Sequence, residues 1–128
     1  MEPDSLDHRL RERVAGLSTE IENGDLSGIR MIMACRDILW LWVRMGGEST
    51  DDPVISFCGI ESETDYLLNG SQALIGRPVD RQLFELGSTA EAAEIERCYR
   101  FYRDTFVDAV RELRGYLEAH PRLDSSER

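Results

Sequence analysis

Apolar residues recur early in the chain at Leu6, Leu10, Val14, Leu17 and Ile21, with spacings of four, four, three and four. That period lays them along one face of a helix. Charged residues fill the other positions, and the pattern predicts a helix from about Ser5 to Asn23. Asn23-Gly24 offers the positive φ that ends helices. Asp25 is the expected cap of a second helix, from about Leu26 to Met45, which Gly46-Gly47 closes. Here Ile29, Ile32, Met33, Leu39, Trp40 and Val43 make one apolar stripe, and Met31, Cys35, Ile38, Trp42 and Met45 make another. Only a strip near Arg30, Asp37 and Arg44 is expected to be wet. A helix apolar on most sides is central to its bundle or shared with a second subunit.

The last long element is announced by Ser88 to Glu91, a capping box in which the Ser hydroxyl and Glu side chain satisfy each other's backbone N–H. From there to about Ala119 no Pro occurs and the single Gly is Gly115. Ile95, Tyr99, Tyr102, Phe106, Ala109, Leu113 and Tyr116 form a seam. Glu96 with Arg100, Arg100 with Asp104, Glu94 with Arg97 and Asp108 with Arg111 are spaced as helical ion pairs. Thirty residues of helix reach roughly 45 Å, more than a compact domain of this size needs. The excess points to a homodimer, with Trp42, Tyr99, Tyr102 and Phe106 as its expected contacts. His120-Pro121 ends the helix.

The segment 46–87 is different. It holds six of the ten glycines and two of the four prolines. Asp52 at an N-cap and Pro53 behind it predict a short helix from Pro53 to Cys58, ending at Gly59. The β-branched run Val54-Ile55-Ser56-Phe57 keeps a strand open as the alternative. Ser62 to Asp65 is a second N-cap signature, for a brief helix closed by Asn69-Gly70. A further helical piece is expected over about Val79–Leu86. The stretch DDPVISFCGIESETDYLLNG, Asp51 to Gly70, resembles a segment of small uncharacterised bacterial proteins, in which an aromatic-rich run leads into Ser-Glu-Thr-Asp and a Gly turn. It departs from that pattern after Asp65, where a Pro is usual and this chain has Leu67-Leu68. The resemblance implies no activity.

The expected fold is therefore all-α: a small bundle of three substantial helices, with short helices in a Gly/Pro-rich middle. The 128 residues suit one helical domain over 1–128, with 1–4 and 121–128 as frayed tails.

Charge narrows the partners. Twenty-five acids against fifteen bases leave a net charge of −10. Nucleic-acid binders show the reverse balance, because phosphate neutralisation supplies much of their affinity. No nucleic acid is expected, and a basic protein partner is compatible. All fifteen bases are Arg, so Schiff-base and P-loop lysines are excluded. Cys35, Cys58 and Cys98 form no CxxC and sit among apolar neighbours, which suits reduced thiols in a cytoplasmic protein. The charged start MEPDSLDHRL does not read as a signal peptide. The run Ile29 to Met45 is too short and too charged to span a bilayer, so no membrane is expected.

Candidate chemistry is thin. The only histidines, His8 and His120, lie on solvated stretches far from an evident nucleophile. Di-iron bundles need Glu-x-x-His pairs, and Glu118 precedes His120 by only two positions. An EF-hand loop begun at Glu61 would place Tyr66 at its sixth position and Gln72 at its twelfth, where Gly and Glu are needed. Helical Mg/Mn-dependent phosphohydrolases use Glu-x-x-Glu pairs, and Glu91 with Glu94 offers one. No catalytic residue and no cofactor are expected otherwise.

Asp52, Ser62 and Asp65 are accounted for as caps. Asp51, Glu61, Glu63 and Asp65 together remain the candidate partner-binding acids. Three function classes follow. The first is a non-enzymatic protein-interaction or regulatory module, of which a toxin-neutralising immunity-type protein is one form. The second is a small metal-dependent phosphohydrolase using Glu91, Glu94 and the acids of 51–65. The third is an oligomeric scaffold.

Overall fold

The computed structural model describes residues 5–64 and 92–121. Four helices run through them: α1 (Leu6–Asn23), α2 (Gly28–Arg44), α3 (Ile55–Thr64) and α4 (Ala92–Ala119). A 3-10 turn, Asp52–Val54, feeds directly into α3. No strand occurs among these residues, and the fold is an all-α helical bundle. The expected capping box Ser88–Glu91, the helix over 79–86 and residues 65–69 of the helix begun at Ser62 lie outside the described residues.

Local chemistry sets the helix ends. Ser5 Oγ accepts from the His8 N–H at 3.1 Å and caps α1. Gly24, at φ 76°, and Asp25 return their N–H groups to Ile21 and Glu20 carbonyls, closing α1 as a Schellman motif. Ser27, not the expected Asp25, caps α2, accepting from the Arg30 N–H. Gly46, at φ 103°, and Gly47 close α2 in the same way, onto Val43 and Trp42 carbonyls. The end of α4 is closed by another helix. Arg11, held by Asp7 at 3.1 Å, donates to the carbonyl of Leu117 at 2.7 Å and to that of His120. These are carbonyls that the end of a helix leaves without intrahelical donors.

α2 and α4 each pack against the other three helices. Burial runs nearly all round α2, from Met31 through Cys35 and from Asp37 to Leu39, so α2 is central as its two stripes imply. Asp37 is the exception to the expected wet strip. It is only 9% exposed and closes on Arg13 of α1 at 3.2 Å. The seam of α4 is Ile95, Phe106, Ala109 and Leu113, joined by Cys98, Val110 and Leu117, with Tyr99, Tyr102 and Tyr116 packed at its margins. Of the expected α4 ion pairs, Glu94–Arg97 and Asp108–Arg111 form. Asp104 pairs with its neighbour Arg103 instead of Arg100.

The contacts define two ends of the bundle. At one, Gly28 lies so close to α4 that a Cβ there would sit 2.6 Å from Ile95 Cγ2 and 3.0 Å from its carbonyl oxygen. Only a residue without a side chain permits that approach. Tyr99 completes this end, its hydroxyl donating to the Leu26 carbonyl at 3.2 Å. At the other end Trp42 meets Tyr116 edge-on, with centroids 5.8 Å apart, beside the Arg11 clasp on α4.

The middle segment corrects two expectations. Asp51 stands at the N-cap position, so Asp52 and Pro53 become the first and second residues of the turn. The helix then passes through Gly59 and Ser62 to Thr64, where an end and a new cap were expected. The reason is burial. Val54, Phe57, Ile60 and Thr64 fall on one face and are buried. Their burial outweighs the roughly 1 kcal/mol that a helical Gly costs. Gly59 itself is exposed, and the buried Thr64 hydroxyl donates to the Ile60 carbonyl at 2.8 Å. The strand alternative for 53–60 disappears with it.

Candidate functional site

Asp51 comes first among the expected partner-binding acids, and its carboxylate is already engaged. Oδ2 accepts from Trp42 Nε1 at 2.8 Å and from the Glu48 N–H at 2.9 Å. The indole can reach it because Gly47 carries no side chain, since a Cβ there would lie 2.3 Å from Trp42 Nε1. The Glu48 N–H, followed by the Trp42 indole, holds the Asp51 carboxyl below the usual carboxylate range. Asp51 is thus the anchor that ties the loop after α2 to α2.

The sign of its linkage follows. A folded-state pKa below the unfolded one adds stability at pH above the unfolded value, and this is lost as pH falls through the folded value. Asp51→Ala is expected to lower the Tm by several degrees at neutral pH, with the gap to wild type narrowing below pH 3.8. Paired thermal melts at neutral and acid pH check it. An equal gap at both would show that the charge on Asp51 contributes nothing.

Glu61 and Glu63 lie in the last turns of α3 and point to different surroundings. Glu61 is half-buried, and its charge acts on Cys35 and Arg36 of α2. Burial pushes the Cys35 thiol far up, with Glu61 adding to it, so Cys35 stays protonated and serves as a small apolar side chain. Glu63 is exposed and forms part of a cleft of about 280 Å³ with Arg97, Cys98, Phe101 and Tyr102 of α4. Desolvation, then the charge of Glu63, raises the Tyr102 hydroxyl above its ordinary value. Asp65 lies outside the described residues, as does Glu91. Glu94, its partner in the metal reading, is ion-paired with Arg97.

Phe101 is the residue the sequence pattern missed. It falls off the α4 seam and is 74% exposed, its ring edge-on to Tyr102 with centroids 4.7 Å apart. A large aromatic among Arg100, Arg103 and Asp104 is the signal that could have found it. The residues expected at a dimer contact differ in burial. Phe106 has no exposed surface and Trp42 is 7% exposed, so both are packed inside their own chain. Tyr99 and Tyr102 are half-buried at the cleft end.

Both histidine rings contact neighbours on their own helix turn. His8 contacts Glu12 at 3.2 Å, and His120 stacks on Tyr116 with centroids 3.9 Å apart. Among the described residues no three His, Cys, Asp or Glu side chains gather as a metal site. No helix of the described residues is long and apolar enough to cross a membrane. Comparison with protein-family models, with curated proteins and with solved structures finds no match to this chain.

Proposed function

We propose that the chain is a non-enzymatic protein-interaction or regulatory module, receiving a basic and partly apolar segment of a partner protein at the cleft between α3 and α4. The supporting observation is Phe101, an aromatic ring left in solvent beside the exposed carboxylate of Glu63. Exposed aromatics with a charged rim are what protein interfaces concentrate. The net charge of −10 draws a basic partner toward the surface before contact. A toxin-neutralising immunity-type protein is one form of such a module. A cytoplasmic setting accords with it, because Cys35, Cys58 and Cys98 are all free thiols.

The test is affinity capture from the source cell with wild type, Phe101→Ala and Glu63→Gln, followed by titration of the captured protein. Both side chains are exposed, so circular dichroism is expected to be unchanged. A basic protein that binds wild type and loses about tenfold or more in affinity on Phe101→Ala supports the reading. A partner that binds both variants like wild type defeats it.

A further inference from the structure

Toward the other end of the bundle, a tryptophan carries two arginines. Trp40 of α2 is half-buried, and two guanidinium groups lie over its ring. Arg9 of α1 stands 5.7 Å from the ring centroid, and Arg44, one turn along α2, stands 5.0 Å away. Val43, three residues from Trp40 on the same side of the helix, is 48% exposed.

Pairing sets Arg9 and Arg44 apart from Arg11, Arg13 and Arg30. On α1, Arg11 closes on Asp7 and Arg13 on Asp37; on α2, Arg30 closes on Glu20. Arg9 and Arg44 close on no carboxylate among the described residues, in a chain with ten more acids than bases. Asp37 is an acid that the charge of Arg9 acts on, but its carboxylate oxygen bonds Arg13 at 3.2 Å. An arginine laid on an indole keeps its planar fork pre-organised, with N–H donors available at the edge. Two such forks over one ring, with an apolar neighbour, match a segment that presents adjacent carboxylates beside an apolar side chain.

We propose that the Trp40 face is a second binding surface, taking an acidic segment of a partner protein whose carboxylates engage Arg9 and Arg44. It is independent of the cleft between α3 and α4, lying at the opposite end and selecting the opposite charge. The two surfaces together would let one small acidic chain hold a partner with both a basic and an acidic segment, or bridge two partners.

The full chain carries two tryptophans, so their indole N–H resonances report the site directly. Acetylated hexaglutamate is titrated into the labelled protein, with hexaglutamine and inorganic phosphate as parallel arms. The expected result is a saturable shift of the Trp40 indole signal with hexaglutamate alone, while Trp42, buried and bonded to Asp51, stays in place. Arg44→Gln and the double variant Arg9→Gln/Arg44→Gln are expected to weaken it by about tenfold for each fork removed. An unmoved Trp42 signal certifies that the variants remain folded. The proposal is overturned by no Trp40 shift at millimolar hexaglutamate, by an equal shift with hexaglutamine, or by undiminished binding to the double variant. A shift with phosphate alone also overturns it, since the surface would then select a phosphate and not a carboxylate.

Discussion

Phe106→Ala is expected to cost about 3–5 kcal/mol of folding stability, a large share of what a domain of this size holds. Phe106 has no exposed surface and meets Phe57 edge-on, with ring centroids 5.8 Å apart and planes at 82°. Phe57 is equally buried, so this one ring pair locks α3 onto α4 at the centre of the core. Removing Phe106 forfeits its burial, its share of the aromatic contact and the packing around the void. Phe101→Ala, five positions earlier on the same helix, is the internal control. With 74% of its surface in solvent it is expected to change stability by no more than about 0.5 kcal/mol. Urea unfolding of the two variants side by side checks both. A loss below about 1 kcal/mol for Phe106→Ala would show that the site collapses to fill itself.

The second large effect centres on Arg13. Its guanidinium meets Asp37 at 3.2 Å, with both side chains largely buried between α1 and α2. Burial pushes the Asp37 carboxyl above its ordinary value, against the pull of Arg13, then Arg36 and Arg9. Arg13→Ala leaves that buried carboxylate without its hydrogen-bonded cation. Breaking a buried pair in this way costs about 3–5 kcal/mol, and the lower end applies here because Arg9 and Arg36 still face Asp37.

The pH dependence distinguishes this from a simple loss of packing. With the folded pKa above the unfolded 3.8, the folded state holds a proton that the unfolded state has already released. Stability therefore falls as pH rises through that window. Removing Arg13 raises the folded value further, so the window widens upward. The deficit of Arg13→Ala is expected to be greatest at neutral pH and to shrink as pH falls through the folded value toward 3.8, as Asp37 takes up its proton. The paired change Arg13→Leu/Asp37→Leu is expected to recover most of the loss, since an apolar replacement of both partners removes the desolvation penalty. A deficit that ignores pH would mean that Asp37 is not the group left exposed to the low-dielectric interior.

The elements easiest to read were those whose ends are local chemistry. Ser5, Asn23-Gly24 and Gly46-Gly47 act within four or five residues of themselves, so their hydrogen bonds are the same in any fold that contains the helix. The apolar faces of α1 and α2 were legible for a similar reason. A period of three to four residues has one geometric realisation as a buried stripe. The middle segment was misread where two local signals competed with a distant one. Gly59 and Ser62 each favour a helix end, yet α3 continues, because Phe57 and Ile60 are buried against other helices and the sequence shows no such neighbour.

The same distinction separates the candidate acids. Capping and charge patterning put Asp51, Glu61, Glu63 and Asp65 in one group on sequence spacing alone. Tertiary packing splits them: Asp51 turns to the Trp42 indole, Glu61 faces α2, and Glu63 remains at the cleft. Phe106 lies on the α4 seam and Phe101 off it, so the periodicity separates them before packing does. Packing against Phe57 of α3 then buries Phe106 completely, while Phe101 stays at the rim of the cleft.

By itself, then, the sequence determined the all-α class, the strong negative charge, the glycine-closed ends of α1 and α2, and the buried stripes. Each of these depends on groups a few residues apart or on composition. Only the tertiary structure decided which carboxylate is consumed by an indole, and that Arg9 and Arg44, thirty-five positions apart, share one ring. Those outcomes depend on distances between helices, set by the packing of side chains from different parts of the chain, and no local pattern encodes them.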